Sequence, residues 1–141
     1  ADKKKEIYDG DIAALIEQKN AQVGDQWEIE SYELEGHYNA APRVCLTLRR
    51  GYQQQSVTVT EGDGPLDGLF RAVEQITGTS VVVRDFRVQS ATQGKDAQGE
   101  ALVEVEQHGR IYRGRGVSTD TVEAGVRAFL NAVNRIAAEV A

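Results

Sequence analysis

The sequence predicts an α+β fold made from one βββα unit used twice. Three short stretches of alternating hydrophobicity are followed by one of helical periodicity, and the same succession then recurs. Two stretches echo each other: Glu61-Gly62-Asp63-Gly64-Pro65-Leu66-Asp67-Gly68-Leu69-Phe70-Arg71-Ala72-Val73, and Gly114-Arg115-Gly116-Val117-Ser118-Thr119-Asp120-Thr121-Val122-Glu123-Ala124-Gly125-Val126-Arg127-Ala128. Both contain Gly-x-Gly, then an acid, then Arg-Ala. Strands joined by short loops pair antiparallel, so duplication predicts two sheets or sheet halves related by pseudo-twofold symmetry, each covered by one helix.

Residues 6–19 carry Ile7, Ile12, Leu15 and Ile16 at helical spacing, with Asp9 or Asp11 as cap, and residues 20–26 read as a linker broken by Gly24. Residues 1–26 are therefore expected to form a helical linker segment before a domain over 27–141. Its two repeats are expected at about 27–79 and 80–141. In the first, Trp27 to Leu34 alternates imperfectly. Val44, Leu46 and Leu48 alternate cleanly with Cys45, Thr47 and Arg49; Arg50-Gly51-Tyr52 turns the chain; Val57 and Val59 continue it. Pro65 suits a first helical turn because it has no N–H to leave unpaired there. Leu66, Leu69, Phe70, Val73 and Ile76 then make one apolar face, with Gly78 as the stop.

The second repeat begins with Val81-Val82-Val83 and Phe86-Arg87-Val88, followed by a loop over Gly94 to Gly99. Ala101, Val103 and Val105 alternate with Leu102, Glu104 and Glu106; His108-Gly109-Arg110 makes a tight turn; Ile111 to Gly116 is the third strand. The last helix presents Val122, Val126, Phe129, Leu130, Val133 and Ile136 on one face, with Ser118 or Asp120 as cap and Asp120-x-x-Glu123 resembling a capping box. Aligning the two glycine pairs leaves an insertion of about one helical turn around Ser118 to Thr121.

A chain of 141 residues can bury a core without staples. One cysteine allows no internal disulfide, and the lack of a Cys/His cluster argues against structural zinc. The formal net charge of -6 argues against nucleic acid or an anionic membrane as partner, since both are approached through a positive field. No apolar run approaches membrane-spanning length and no hydrophobic leader opens the chain, so the expected setting is the cytoplasm. Lys3-Lys4-Lys5 reads as a solvated leader, and the charged start after Ala1 is what an excised fragment would have.

Enzymatic constellations are not found. His37 and His108 lie beside glycines in turns, with no nucleophile or paired carboxylate placed near them, and Cys45 sits in a strand as a half-buried, inert thiol. Gly62-Asp63-Gly64 before a helix has two readings: backbone open to an anionic ligand at the helix start, or glycines that simply release a strand into a helix. A phosphate does not suit it, because G-K-[ST] is missing and Asp63 and Asp67 stand where a cation belongs. A zwitterion fits better, its carboxylate on N–H groups and its ammonium on an aspartate. Gly114-Arg115-Gly116 could mirror that site, although Arg113 and Arg115 change its charge. Tyr32 and Phe86 hold matching places in the two first strands, as core aromatics or as ligand contacts.

Gly62-x-Gly64-Pro65-Leu66-Asp67, Asp85-Phe86-x-Val88, Gly94-x-Asp96-Ala97-x-Gly99-Glu100, Gly114-x-Gly116-Val117-Ser118-Thr119-Asp120-x-Val122-Glu123-Ala124 and Asn131-Ala132-x-Asn134-Arg135 together resemble the C-terminal regulatory domain of the 2-isopropylmalate synthase family, from about Trp27 to Ile136. The resemblance implies a duplicated βββα fold that forms a homodimer and binds leucine as feedback inhibitor between the two units. Matched by motif, the implied effector contacts are Gly62, Asp63, Gly64, Leu66, Asp67, Val83, Phe86, Ser90 and Ala97, with the isobutyl group on Leu66, Val83 and Phe86. Lys3 to Leu15 resembles the end of the segment that joins this domain to a catalytic barrel. That barrel, with its divalent-metal ligands and its acyl transfer from acetyl-CoA to 2-oxoisovalerate, is not in this sequence, so the chain is expected to be inert alone and to need no cofactor. Phe86 departs from the tyrosine common in the family, and Asp67 from small residues. The related citramalate synthase domain senses isoleucine. A dimerisation module without ligand is the reading from another class.

Overall fold

A computed structural model describes residues 26–36, 39–90 and 98–140. The helix expected over 6–19, the linker to residue 25, His37, most of the Gly94–Gly99 loop and Ala97 lie outside the described residues. The elements run β1 (Glu28–Glu35), β2 (Arg43–Arg50), β3 (Gln53–Val59), α1 (Pro65–Thr77), β4 (Val82–Ser90), β5 (Gly99–Gln107), β6 (Arg110–Ser118) and α2 (Thr121–Val140). They form two antiparallel three-stranded sheets, β1-β2-β3 and β4-β5-β6, each with its own helix, as the duplicated α+β expectation requires.

The imperfect alternation of the first strand has a structural cause. The register slips between Ile29 and Ser31, so that Ile29, Tyr32 and Leu34 stand opposite Leu48, Leu46 and Val44, which point at the helix side. One extra residue, Glu30, lets a period-2 strand put residues three apart on one face. The second unit repeats the device: the slip between Val83 and Asp85 sets Val83 and Phe86 opposite buried Val105 and Val103. Even the ion pair at the bulge is repeated with its signs exchanged, Glu30 with Arg49 at 2.6 Å in one sheet and Arg84 with Glu106 at 2.5 Å in the other. Exposed pairs like these add little stability, so their recurrence marks geometry rather than strength.

The core lies between the helices and the inner sheet faces. Val44, Leu46 and Leu48 of β2 and Ala101, Val103 and Val105 of β5 are buried, as are Leu69, Ala72 and Val73 of α1 and Phe129, Val133 and Ile136 of α2. Phe70 joins the units, stacking on Phe129 at 4.2 Å between centroids and meeting Phe86 edge-on at 5.9 Å.

The register corrects one sequence expectation. Gly114 stands opposite Val103 just as Val57 stands opposite Leu46, so Gly114 and Gly116 are the counterparts of Val57 and Val59, not of Gly62 and Gly64. They lie inside β6, and the apparent one-turn insertion comes from pairing the wrong glycines. Their role is close approach. A Cβ on Gly114 would overlap the Ala128 carbonyl oxygen, and one on Gly116 the Ala124 carbonyl oxygen, so the backbone of α2 rests directly on the strand. Ala124, Ala128 and Ala132, one per helical turn, make this side of α2. The first unit places its small residue on the helix instead: Gly68 of α1 sits where a Cβ would come within 2.7 Å of Val44 Cγ2.

Each helix also fastens the first strand of the other unit. Buried Asn134 on α2 accepts from the Trp27 N–H at 3.1 Å and donates to the Trp27 carbonyl at 2.9 Å. Glu74 on α1 accepts from the Val81 N–H at 2.9 Å. Trp27 and Val81 immediately precede β1 and β4. The Arg50 guanidinium covers the Trp27 ring at 4.6 Å.

Candidate functional site

Five of the residues singled out by sequence form the entrance to α1. Gly62 (φ 151) and Gly64 (φ 153) hold backbone that side chains rarely adopt, and Pro65 opens the helix. No side chain caps this helix start. Asp67 instead folds the loop back on the helix: its Oδ2 accepts from the Asp63 N–H at 3.0 Å and from Arg71 Nε at 2.9 Å. The Arg71 bond, and after it the Asp63 N–H, hold the Asp67 carboxyl below its ordinary range. Asp67 therefore shapes the loop. Its carboxylate oxygen Oδ2 is committed internally, while Glu61 and Asp63 are exposed beside it.

Leu66 and Phe86 come together against α2. A Cβ on Gly125 would lie 2.7 Å from Leu66 Cδ2 and 3.2 Å from Phe86 Cζ, so the two side chains meet over that glycine. Val83 and Ser90 share β4 with Phe86. Val83 is opposite buried Val105 and is itself 41% exposed, and exposed Ser90 is opposite Gly99 at the far end of the strand. The described site residues thus divide into a polar loop with a bare helix start, an apolar corner at Leu66 and Phe86, and a strand margin at Val83 and Ser90.

The start of α2 is built differently. Asp120 Oδ1 accepts from the Val122 N–H at 2.9 Å and lies 3.5 Å from the Glu123 nitrogen, while Ser118 Oγ donates to Glu123 Oε1 at 3.0 Å. Asp120 is thus the cap, as its spacing to Glu123 suggests. Tyr32, reaching from β1, donates its hydroxyl to Asp120 Oδ2 at 2.9 Å. The matching strand residue of the second unit is Phe86, which brings a bare ring to α1. One helix start is closed by its own carboxylate and a tyrosine. The other has neither.

The Tyr32–Asp120 contact needs a protonated phenol and an ionised carboxyl. Burial first, and Asp120 second, push the Tyr32 phenol up to about 12, while the Tyr32 hydroxyl holds Asp120 below its ordinary range. An unfolded tyrosine ionises near pH 10, so between about pH 10 and 12 the unfolded chain releases a proton that the folded chain keeps, and stability falls as pH rises. For Asp120 the sign is reversed: its contribution is present above about pH 4 and is lost as pH falls. Thermal melts across the alkaline range are expected to show a shallower decline for Tyr32→Phe than for wild type. Equal slopes would mean that Tyr32 titrates alike in both states.

A hollow of about 320 Å³ lies away from this corner, on the open face of the first sheet, lined by Ser31, Glu33, Cys45, Thr47, Ser56, Val57 and Thr58. Its polar groups are largely paired, Thr47 with Ser56 at 2.7 Å and Cys45 with Thr58 at 3.0 Å. Among the described residues, no group of three or more His, Cys, Asp or Glu side chains could hold a metal ion, and no helix is long and apolar enough to cross a membrane.

Two half-units on one βββα plan, one with an open helix start and one with a closed start, define a duplicated α+β domain. Residues 6–137 match the family described as the LeuA allosteric (dimerisation) domain. The chain belongs to that family. It is 55% identical over 142 residues to the 2-isopropylmalate synthase of Rhodopirellula baltica, covering 100% of this chain and 27% of that protein. It is 38% identical to the same enzyme of Ruminiclostridium cellulolyticum, over 99% of the chain and 27% of that protein. For Heliobacterium modesticaldum the identity is 37%, over 96% and 26% respectively. The chain spans about a quarter of the length of these relatives.

Sequence reasoning missed three residues that organise the site: Gly125, Asp120 as the partner of Tyr32, and Arg71 as the partner of Asp67. Arg71 had a visible signal, four residues from an acid on a helix. A glycine inside a helical pattern, with no end nearby, was the signal for Gly125.

Proposed function

We propose that this domain senses leucine for a cytoplasmic 2-isopropylmalate synthase, and that two copies associate through it. The observation that carries the reading is the asymmetry of the two helix starts. The entrance to α1 lacks a side-chain cap and adjoins Leu66 and Phe86, whereas the entrance to α2 is filled by Asp120 and Tyr32. A leucine carboxylate would take the bare N–H groups at α1, its ammonium would face Asp63, and its isobutyl group would pack on Leu66, Phe86 and Val83. Ser90, at the far end of β4, would complete the far side. One site per chain follows, between the start of α1 and strand β4 of the second unit.

Self-association is supported by the sheet margins. Leu34 on β1 and Val82, Val83 and Val88 on β4 are exposed apolar residues on edge strands, a surface that a second copy would cover. Feedback inhibition then requires that leucine bind one arrangement of the attached catalytic parts better than another.

Titration calorimetry with leucine, isoleucine and lysine tests the reading. Leucine is expected to bind with one site per chain, and at a hundred times its Kd to stabilise the fold by about 2.7 kcal/mol. No heat and no thermal shift with any of the three would overturn effector binding and leave a ligand-free dimerisation module.

A further inference from the structure

Gly125 lies in the second turn of α2, in ordinary helical backbone where alanine would be the better helix former. Conformation does not account for it. Close backbone approach does not either: Gly114 and Gly116 face backbone atoms of α2, but the nearest atoms to a Cβ on Gly125 are side-chain ends. They are Leu66 Cδ2 at 2.7 Å, Leu66 Cδ1 at 3.2 Å and Phe86 Cζ at 3.2 Å. The missing methyl is thus a notch in α2 that lets one leucine and one phenylalanine sink toward the helix. Both come from elements outside α2, one from the first turn of α1 and one from β4.

We infer that Gly125 sets the size of the amino-acid side chain this domain accepts, by fixing how deep Leu66 and Phe86 sit. The inference rests on the leucine reading above. With alanine at 125, the Leu66 methyls cannot keep their place. Leu66 Cδ2 is the free end of a flexible side chain, so it moves at small cost away from α2, toward the side on which the effector's isobutyl group would pack. The fold keeps its stability and the pocket shrinks. Gly125 is then a specificity-determining residue that need not touch the ligand.

The test is calorimetry on the chain with leucine and valine, for wild type, Gly125→Ala and Leu66→Val. For Gly125→Ala the ratio of leucine to valine affinity is expected to fall by about tenfold or more, the usual range for one methylene in an apolar pocket, while the melting temperature does not drop. Leu66→Val enlarges the same corner without touching α2 and is expected to shift preference the other way, toward larger side chains. Leu66→Val in the Gly125→Ala background removes the displaced methyls and is expected to restore the wild-type ratio. A wild-type ratio in both single variants overturns the inference and leaves the leucine reading intact. Wild-type chain that binds neither amino acid overturns the leucine reading and this inference with it.

Discussion

Gly114→Ala is expected to destabilise the domain by about 3 kcal/mol or more, the upper range for forcing atoms into a closed core. The added methyl would overlap the Ala128 carbonyl oxygen and come within 2.8 Å of the Ala132 nitrogen. Both are helix backbone, which cannot turn aside as a side-chain end can. α2 would have to lift from β6, opening the core around Phe129 and Val133. Thermal unfolding should fall by roughly 10 °C for a domain of this size. The direction is itself diagnostic, because in an unconstrained strand interior replacing glycine normally helps. A melting temperature equal to wild type would mean that helix and strand are further apart than described.

Asn134→Ala is expected to cost about 2–5 kcal/mol, because it leaves two buried backbone groups of Trp27 without partners at roughly 1–3 kcal/mol each. The Trp27 N–H and carbonyl are both held by this one carboxamide, at 3.1 and 2.9 Å, and both residues are buried. Chemical denaturation compares the variant with wild type, and Asn134→Asp, which keeps the acceptor and loses the donor, should fall between them. An Asn134→Ala midpoint within error of wild type would show that water replaces the amide at no cost.

The order of elements was legible because each depends on local chemistry. Pro65 and Gly78 bound α1 as their types imply, Asp120 caps α2, and the clean alternation of Val44, Leu46 and Leu48 is the buried face of a central strand. What was not legible depends on partners distant in sequence. Gly-x-Gly at 62–64 and at 114–116 reads alike, yet one pair adopts positive φ in a loop and the other carries a helix on its surface. Only the strand register separates them. The bond from the Asp63 N–H to Asp67 was not legible either, because it exists only once the loop has closed. The broken alternation of the first strand was visible as irregularity, but a bulge is defined by the strand opposite.

The crossed fastening of the two units bears on how the chain folds. Asn134 and Trp27 are 107 positions apart, and Glu74 and Val81 bind the end of the first unit to the start of the second. Neither half completes its own first strand, so a single βββα unit cut from the chain should not be a stable fragment. Bringing Trp27 to α2 closes a loop over almost the whole described chain, an entropic cost recovered only when the last helix is in place. A unit written twice in sequence has become one cooperative object, whose folding is completed by the docking of α2 against Trp27.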